Sequence, residues 1–347
     1  MKIIYVEANP GNGGAEEYAI NLANQAVRAG HEVLFVLGLE KGQMVERVRD
    51  NHFDMMIIPM QSSFNPLAVF SSILKLRKFI NEQKPDIVHT QMLREQSLVI
   101  GAKLFGAKTK LIRTFHRLDQ FNSKMKPLLP IYRKFTDAFI APSEYAKDYL
   151  TENGIIKRVY VVHNGVAEVV TQRKDKALGF LGRLSVEKRI KEFVTANSSM
   201  FPNTKLRIGG DGPEKIDIES FVNKKNLNIE ILGQITDKNM FFSLFNVLIL
   251  PSYTEALPLV VLEAFSAGTP VVAFDIPPLR GLITQENGAL VKNGDFKQLA
   301  KVATEISESK VYKKFSEKAR ETYLRGYTIE KMWFDTSRLY EHLSRKG

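Results

Sequence analysis

Short apolar runs recur along this chain, separated by longer stretches in which apolar residues return every three or four positions. The runs have the length and content of strands buried on both faces, and the longer stretches have the period of amphipathic helices. Alternation of the two predicts parallel α/β layers. In the first half the strands fall near residues 2–6, 32–37, 55–59, 86–90, 110–115, 137–142 and 158–162, with helices including 15–29 and 66–81 between them. His163-Asn164-Gly165-Val166 is a turn signal, followed by a polar stretch from Thr171 to Lys176. There the alternation restarts, with strands near 177–181, 205–209, 229–232, 247–250, 270–274 and 288–291. Two similar α/β halves joined near residue 166 account for this most simply. From about Ala300 to Leu343 the pattern is helical throughout, with Trp333, Phe334, Leu339 and Leu343 as apolar anchors.

The most informative unit follows the run Val247-Leu248-Ile249-Leu250-Pro251. Thr254 to Ala264 supplies a short loop and a helix, with Glu255 in the loop and Glu263 eight residues on. Pro258 falls in the expected first turn, a position that tolerates a residue without an N–H. The backbone of residues 257 to 259 (Leu257, Pro258, Leu259) then marks a helix start, which favours anions. Carboxylates accept hydrogen bonds from hydroxyls and free amides bind phosphate, a combination that suits a nucleotide sugar. Arg183 sits just beyond the strand 177–181, and Lys188 in the opening turns of the next helix. Two cations at strand carboxyl ends can neutralise a diphosphate. Gly209-Gly210-Asp211-Gly212-Pro213, taken alone, is a generic turn between strand and helix. The glycine-rich segment Asn9 to Glu16 either brings amides close to a phosphate or sugar or simply reverses the chain. Glu7 and Glu16 line the same crevice or serve as cap and surface residues. His116 ends the strand 110–115, in the half opposite Arg183 and Glu255.

Composition narrows the function classes. The chain has 347 residues, 44% hydrophobic and 25% charged, long for one core and comfortable for two domains. With no cysteine there is neither a disulfide framework nor a thiolate metal site, which agrees with a cytosolic setting. The N-terminus meets Glu7 too early for a signal peptide, and no apolar run approaches a membrane span. The net charge of +11 is uneven: Lys103 to Lys134 holds nine basic residues against Asp119 alone, hence +8. Arg117, Lys124, Lys126, Arg133 and Lys134 interleave there with Phe121, Met125, Leu128 and Ile131. That segment is either a solvated face or a contact for an anionic membrane surface or acidic acceptor. No helix-turn-helix, zinc or RNA-binding signature accompanies it, so nucleic acid is not expected as a partner.

Taken together these residues resemble the retaining glycosyltransferases of the GT-B fold, specifically glycosyltransferase family 4. The resemblance rests on Gly13-Gly14, Thr114-Phe115-His116, Ser143-Glu144 and His163-Asn164-Gly165-Val166 in the first half. In the second half it rests on Gly182-Arg183-Leu184 with Glu187-Lys188, Gly210-Asp211-Gly212-Pro213, and Glu255 with Glu263. It implies two Rossmann-like domains with parallel sheets facing across a cleft. The first would be an acceptor domain over 1–165, with a C-terminal helix at about 328–347 crossing back to it; the second would be a nucleotide-sugar domain over 166–327. Arg183 and Lys188 would bind the donor diphosphate, Glu255 the hexose hydroxyls and Glu263 the ribose. His116 would lie at the transferred sugar, Gly13 and Gly14 near the donor phosphate and the acceptor, and Gly210, Ala256, Leu257, Pro258 and Leu259 along the donor. Side-chain cations and helix starts would stabilise the leaving group, so no metal or other cofactor is expected. Ala256 and Arg189 stand where relatives often carry glycine. Asp119 offers a base for an inverting reaction, which the two-glutamate motif disfavours. The resemblance favours UDP-hexose or UDP-N-acetylhexosamine, then GDP-mannose, and a cell-envelope glycan or glycolipid acceptor. From its composition the chain is expected to be cytoplasmic, soluble or at most on the inner surface of the cell membrane. A sugar-nucleotide epimerase or phosphorylase, or a non-catalytic sugar- or nucleic-acid-binding module, are the competing readings.

Overall fold

A computed structural model describes residues 1–8, 13–60, 65–116, 127–171, 175–201, 203–255 and 257–345. Two compact units form, one from Met1–Gly165 with Ile329–Gly347 and the other from Val166–Thr328.

In the first unit, β1 (Lys2–Glu7), β2 (Glu32–Leu37), β3 (Asp54–Ile57), β4 (Ile87–Thr90), β5 (Lys110–Thr114), β6 (Ala138–Ala141) and β7 (Val159–Val161) form one parallel sheet, ordered β3-β2-β1-β4-β5-β6-β7. Helices α1 (Gly14–Arg28), α2 (Gln43–Asp50), α3 (Pro66–Gln83), α4 (Leu93–Leu104), α5 (Leu129–Phe135) and α6 (Glu144–Glu152) connect the strands. Strand residues alternate between faces. Ile3, Tyr5, Ile87 and Ile112 join one apolar core, whereas Ile4, Val6, Val88 and Leu111 join the core on the other face. Covering both faces is what lets most strands read as largely apolar runs, interrupted by buried His89 in β4 and Arg113 in β5.

The second unit repeats the plan. Strands β8 (Leu178–Leu181), β9 (Leu206–Gly209), β10 (Ile229–Gly233), β11 (Val247–Leu250), β12 (Val271–Phe274) and β13 (Gly288–Val291) form a parallel sheet ordered β10-β9-β8-β11-β12-β13. Its helices are α7 (Ile190–Ala196), α8 (Lys215–Lys225), α9 (Lys238–Ser243), α10 (Leu259–Ser266), α11 (Phe296–Glu308) and α12 (Tyr312–Gly326). Phe241, Phe242 and Phe245 pack mutually, edge to face or tilted, at 5.1–5.7 Å between ring centres. Gly179 of β8 lies under them, where a Cβ would fall 2.3 Å from the Phe245 ring.

The tail departs from the expectation of continuous helix. It is three helices, α11, α12 and α13 (Ile329–Ser344), because Ser309 turns extended and Thr328 forms a bridge to Val166. Only α13 belongs with the first unit, where Met332, Leu339, Tyr340 and Leu343 enter the core beside α1.

Candidate functional site

In an open parallel sheet the ligand crevice opens where the strand order reverses, at the strand carboxyl ends. In the second unit that point lies between β8 and β11, and both loops leaving it carry charged residues named above. The β8 loop gives Arg183 and, in a short 3₁₀ turn over Val186–Lys188, Lys188. The β11 loop gives Glu255. Lys188 Nζ and Glu255 Oε1 form an ion pair across the reversal point, with both side chains largely buried. The Tyr253 N–H donates to the Glu187 carbonyl at 2.9 Å, tying the two loops together. Arg183 is exposed. Its side chain makes no hydrogen bond or ion pair among the described residues, and its carbonyl accepts from Ser185 Oγ at 3.5 Å.

Lys188 therefore does not open a regular helix as expected. Arg189 takes a left-handed backbone (φ 56°) between the 3₁₀ turn and α7, which explains why glycine suits that position. Its guanidinium turns to Phe296, 4.7 Å from the ring centre, and donates to Asn293 Oδ1 at 3.2 Å. Pro258 is likewise the N-cap of α10, extended at φ −73° and ψ 117°, so the helix starts at Leu259. Pro258 has no N–H to offer. The first-turn amides of Leu259 and Val260 precede the intrahelical bonds, which leaves them directed at the crevice end. Ala256 lies outside the described residues, and Leu257 is buried in the core.

Glu263 is 5% exposed, and its Oε1 accepts from Lys238 Nζ at 2.7 Å. Lys238 begins α9 and escaped the sequence reading; 25 residues separate the pair, and nothing local announces the contact. Ser252, 1% exposed and two residues past β11, was also missed; its Oγ has no partner among the described residues. Gly210 has a structural reason to be glycine. Its φ is +125°, and a Cβ there would lie 1.9 Å from the Gly182 carbonyl oxygen. The Gly210 loop packs against the Arg183 loop, with Leu184 N–H donating to the Asp211 carbonyl at 2.9 Å.

In the first unit the order reverses between β1 and β4. Glu7 ends β1, Gln91 follows β4, and His116 follows β5. His116 Nε2 meets Gln91 Oε1 at 2.8 Å, and its ring lies 4.8 Å from Tyr18, edge to face. Burial, and then the Arg113 guanidinium, push the half-buried imidazole down from its ordinary pKa, so at neutral pH it is uncharged. A neutral ring that donates from Nε2 to the Gln91 carbonyl keeps Nδ1 as an acceptor. Behind it stands a buried polar layer. His89 contacts Tyr340 Oη at 2.6 Å through Nδ1 and Thr114 Oγ1 at 2.8 Å through Nε2. Thr114 Oγ1 in turn donates to Tyr18 Oη at 3.3 Å.

Gly13 and Gly14 are exposed at the start of α1, but the Gly13 N–H already donates to Glu16 Oε2 at 3.0 Å. Glu16 is thus a cap, and its carboxylate opposes a phosphate at this helix start. Glu7 is buried instead, and its carboxyl is held well above the usual range by burial and then by Glu95.

Among the described residues, the cations of the basic segment do not share one face. Arg113 is 1% exposed and donates to Gln96 Oε1 at 2.5 Å; Lys103 pairs with Asp137 at 2.8 Å. Arg133 donates to the Gly154 carbonyl at 3.3 Å, while Lys134, Leu128 and Ile131 are exposed. Arg117, Asp119, Lys124 and Lys126 lie outside the described residues. Among the described residues no three histidine or carboxylate side chains converge as metal ligands, and no helix is long and apolar enough to cross a membrane. A cavity of about 770 Å³ in the second unit is lined by Thr171, Ser266, Arg320 and Leu324, away from the residues named from sequence.

Residues 12–168 match the family model for Glycosyltransferase Family 4, and residues 166–322 that for glycosyl transferases group 1. A UDP-Gal:alpha-D-GlcNAc-diphosphoundecaprenol alpha-1,3-galactosyltransferase of Escherichia coli is 24% identical over 84% of this chain and 84% of its own length. An exopolysaccharide phosphotransferase of Streptomyces coelicolor is 28% identical over 67% of this chain, which spans 26% of that longer protein. The crystal structure of Anabaena HepE in complex with UDP and glucose superposes with a TM-score of 0.86, covering 98% of this chain and 99% of that one at 18% identity. Such a likeness shows the GT-B fold.

Proposed function

The chain belongs to glycosyltransferase family 4, and on that premise we propose a UDP-sugar-dependent transfer that retains anomeric configuration and uses no metal. The protein is a glycosyltransferase of polysaccharide or glycolipid biosynthesis; donor, stereochemistry and acceptor are our reading. The observation that carries it is the Lys188–Glu255 pair at the reversal point of the second sheet, beside exposed Arg183. A diphosphate arriving there would draw Lys188 from Glu255, and the released carboxylate would accept hydrogen bonds from the sugar. Glu263 would take the ribose hydroxyls in the same way, exchanging its bond to Lys238. In the transfer the bond from the anomeric carbon to the diphosphate breaks while the acceptor oxygen bonds on the same face. The acceptor proton passes to the departing phosphate oxygen. UDP is favoured because HepE was crystallised with it and the Escherichia coli relative is named for UDP-Gal. The diphosphoundecaprenol in that name supports a lipid-linked acceptor, with the enzyme at the cytoplasmic face of the membrane.

The test is turnover of UDP-glucose, UDP-galactose and UDP-N-acetylglucosamine by the purified protein in EDTA, read as UDP release. Release in EDTA is expected, and Lys188→Ala or Glu255→Ala should lower it by about 10²-fold or more with the fold intact. Strict dependence on Mg²⁺ or Mn²⁺ would remove the metal-free mechanism. Release of GDP from GDP-mannose alone would replace the donor, and appearance of an epimerised free sugar would replace the reaction.

A further inference from the structure

At the reversal point of the first sheet two buried side chains carry polar atoms without partners. Glu7, at the end of β1, is 3% exposed, and Gln91, just past β4, is fully buried. Glu7 Oε1 and Gln91 Nε2 make no hydrogen bond among the described residues. Val6 pairs with Thr90 in the ladder, so Glu7 and Gln91 are the next neighbours in register. Strand alternation sets both on the face that carries Tyr5 and His89. The other end of the Gln91 amide is fixed, because its Oε1 meets His116. The helices that follow, α1 and α4, pack on opposite faces of the sheet, so the two atoms stand where an α/β sheet receives its ligand.

The chemistry of the pair selects the ligand. Glu95, on α4, stands behind Glu7; its Oε1 accepts from the Ala8 N–H at 2.9 Å and its Oε2 has no partner among the described residues. Two neighbouring buried carboxyls do not both ionise: the charge that one keeps disfavours phosphate, and the other stays neutral. Glu16 adds a further carboxylate at the start of α1. A neutral carboxylic acid both donates and accepts, and the free amide N–H of Gln91 donates. That set matches a hydroxyl group, which also does both. Buried polar atoms left unpaired are costly, and a hydroxyl bridging them recovers that cost on binding.

We propose that Glu7 and Gln91 form a subsite for a ring hydroxyl of an uncharged acceptor sugar, beside His116. The assignment rests on the transferase reading above, and it adds which residues read the acceptor. Glu7→Gln keeps a neutral group that donates and accepts; Glu7→Leu keeps the bulk and neither capacity. The probes are octyl glycosides of glucose, galactose and N-acetylglucosamine, offered with each UDP-sugar. Glu7→Leu should raise the acceptor KM about tenfold, the loss of one well-made hydrogen bond. Its donor KM and its UDP release into water should stay within about twofold of wild type, and Glu7→Gln should retain wild-type acceptor KM within about threefold. An unchanged acceptor KM in Glu7→Leu, with normal UDP release, overturns the subsite alone. Equal losses in donor and acceptor parameters would assign Glu7 to the fold and overturn it as well. A wild type that releases UDP but glycosylates none of the probes also counts against it. No nucleotide release from any UDP-sugar or from GDP-mannose would instead count against the transferase reading itself.

Discussion

His89 is fully buried, with one ring nitrogen on Tyr340 and the other on Thr114. Burial, and then His116, depress its pKa from 6.5 to about 3. As pH falls below 6.5 the unfolded chain takes up this proton first, so the contribution is whole above pH 6.5 and lost toward pH 3. The loss should run at about 1.4 kcal/mol per pH unit. Urea unfolding at pH 7, 6 and 5 should therefore show wild type weakening more steeply than His89→Gln by that slope. Equal slopes would mean that the native imidazole protonates freely. The residue scale also separates legible from hidden roles. Glu255 and Glu263 could be named from sequence because both belong to one strand-loop-helix unit. The fate of Gly13 could not, since its amide goes to a carboxylate whose rotamer only the folded loop fixes.

Among the elements, α13 has the most to reveal. Its apolar residues announced a buried helix, but its polar contribution was invisible: Tyr340 lies 335 residues from Tyr5 and 251 from His89. Tyr340 Oη lies 2.6 Å from His89 Nδ1 and 3.4 Å from Tyr5 Oη, which makes α13 a clamp on the layer behind His116. Tyr340→Phe would leave buried His89 Nδ1 without its partner and should cost about 1–3 kcal/mol. A shift of the urea midpoint at constant m-value would report it, and an unchanged midpoint would show that the layer contributes nothing. Element boundaries were less legible than element order. Continuous helical periodicity hid the break at Ser309, since the residues on either side of it suit a helix and only packing requires the turn.

At the scale of the molecule, the net charge of +11 is concentrated in residues 103–134, but folding divides it. Arg113 goes into the core and Lys103 to Asp137. We propose that the segment's other cations, with exposed Leu128 and Ile131, meet an anionic bilayer. Co-sedimentation with phosphatidylglycerol vesicles at 50 mM salt, on the order of a 14 Å screening length, should weaken several-fold near 300 mM. Neutralising Lys124 and Lys126 should weaken it too. No association at low salt would return the segment to a solvated face.

The chain by itself determined the two parallel sheets, their strand order along the sequence and the loops that carry chemistry. Strands buried on both faces are largely apolar, and glycine, proline and charge gather where such strands end; both signals are local. Tertiary structure alone decided which loop meets which. Lys238 with Glu263, Gln91 with His116 and Glu7 with Glu95 are pairs made by strand register and helix placement, and no local pattern encodes them.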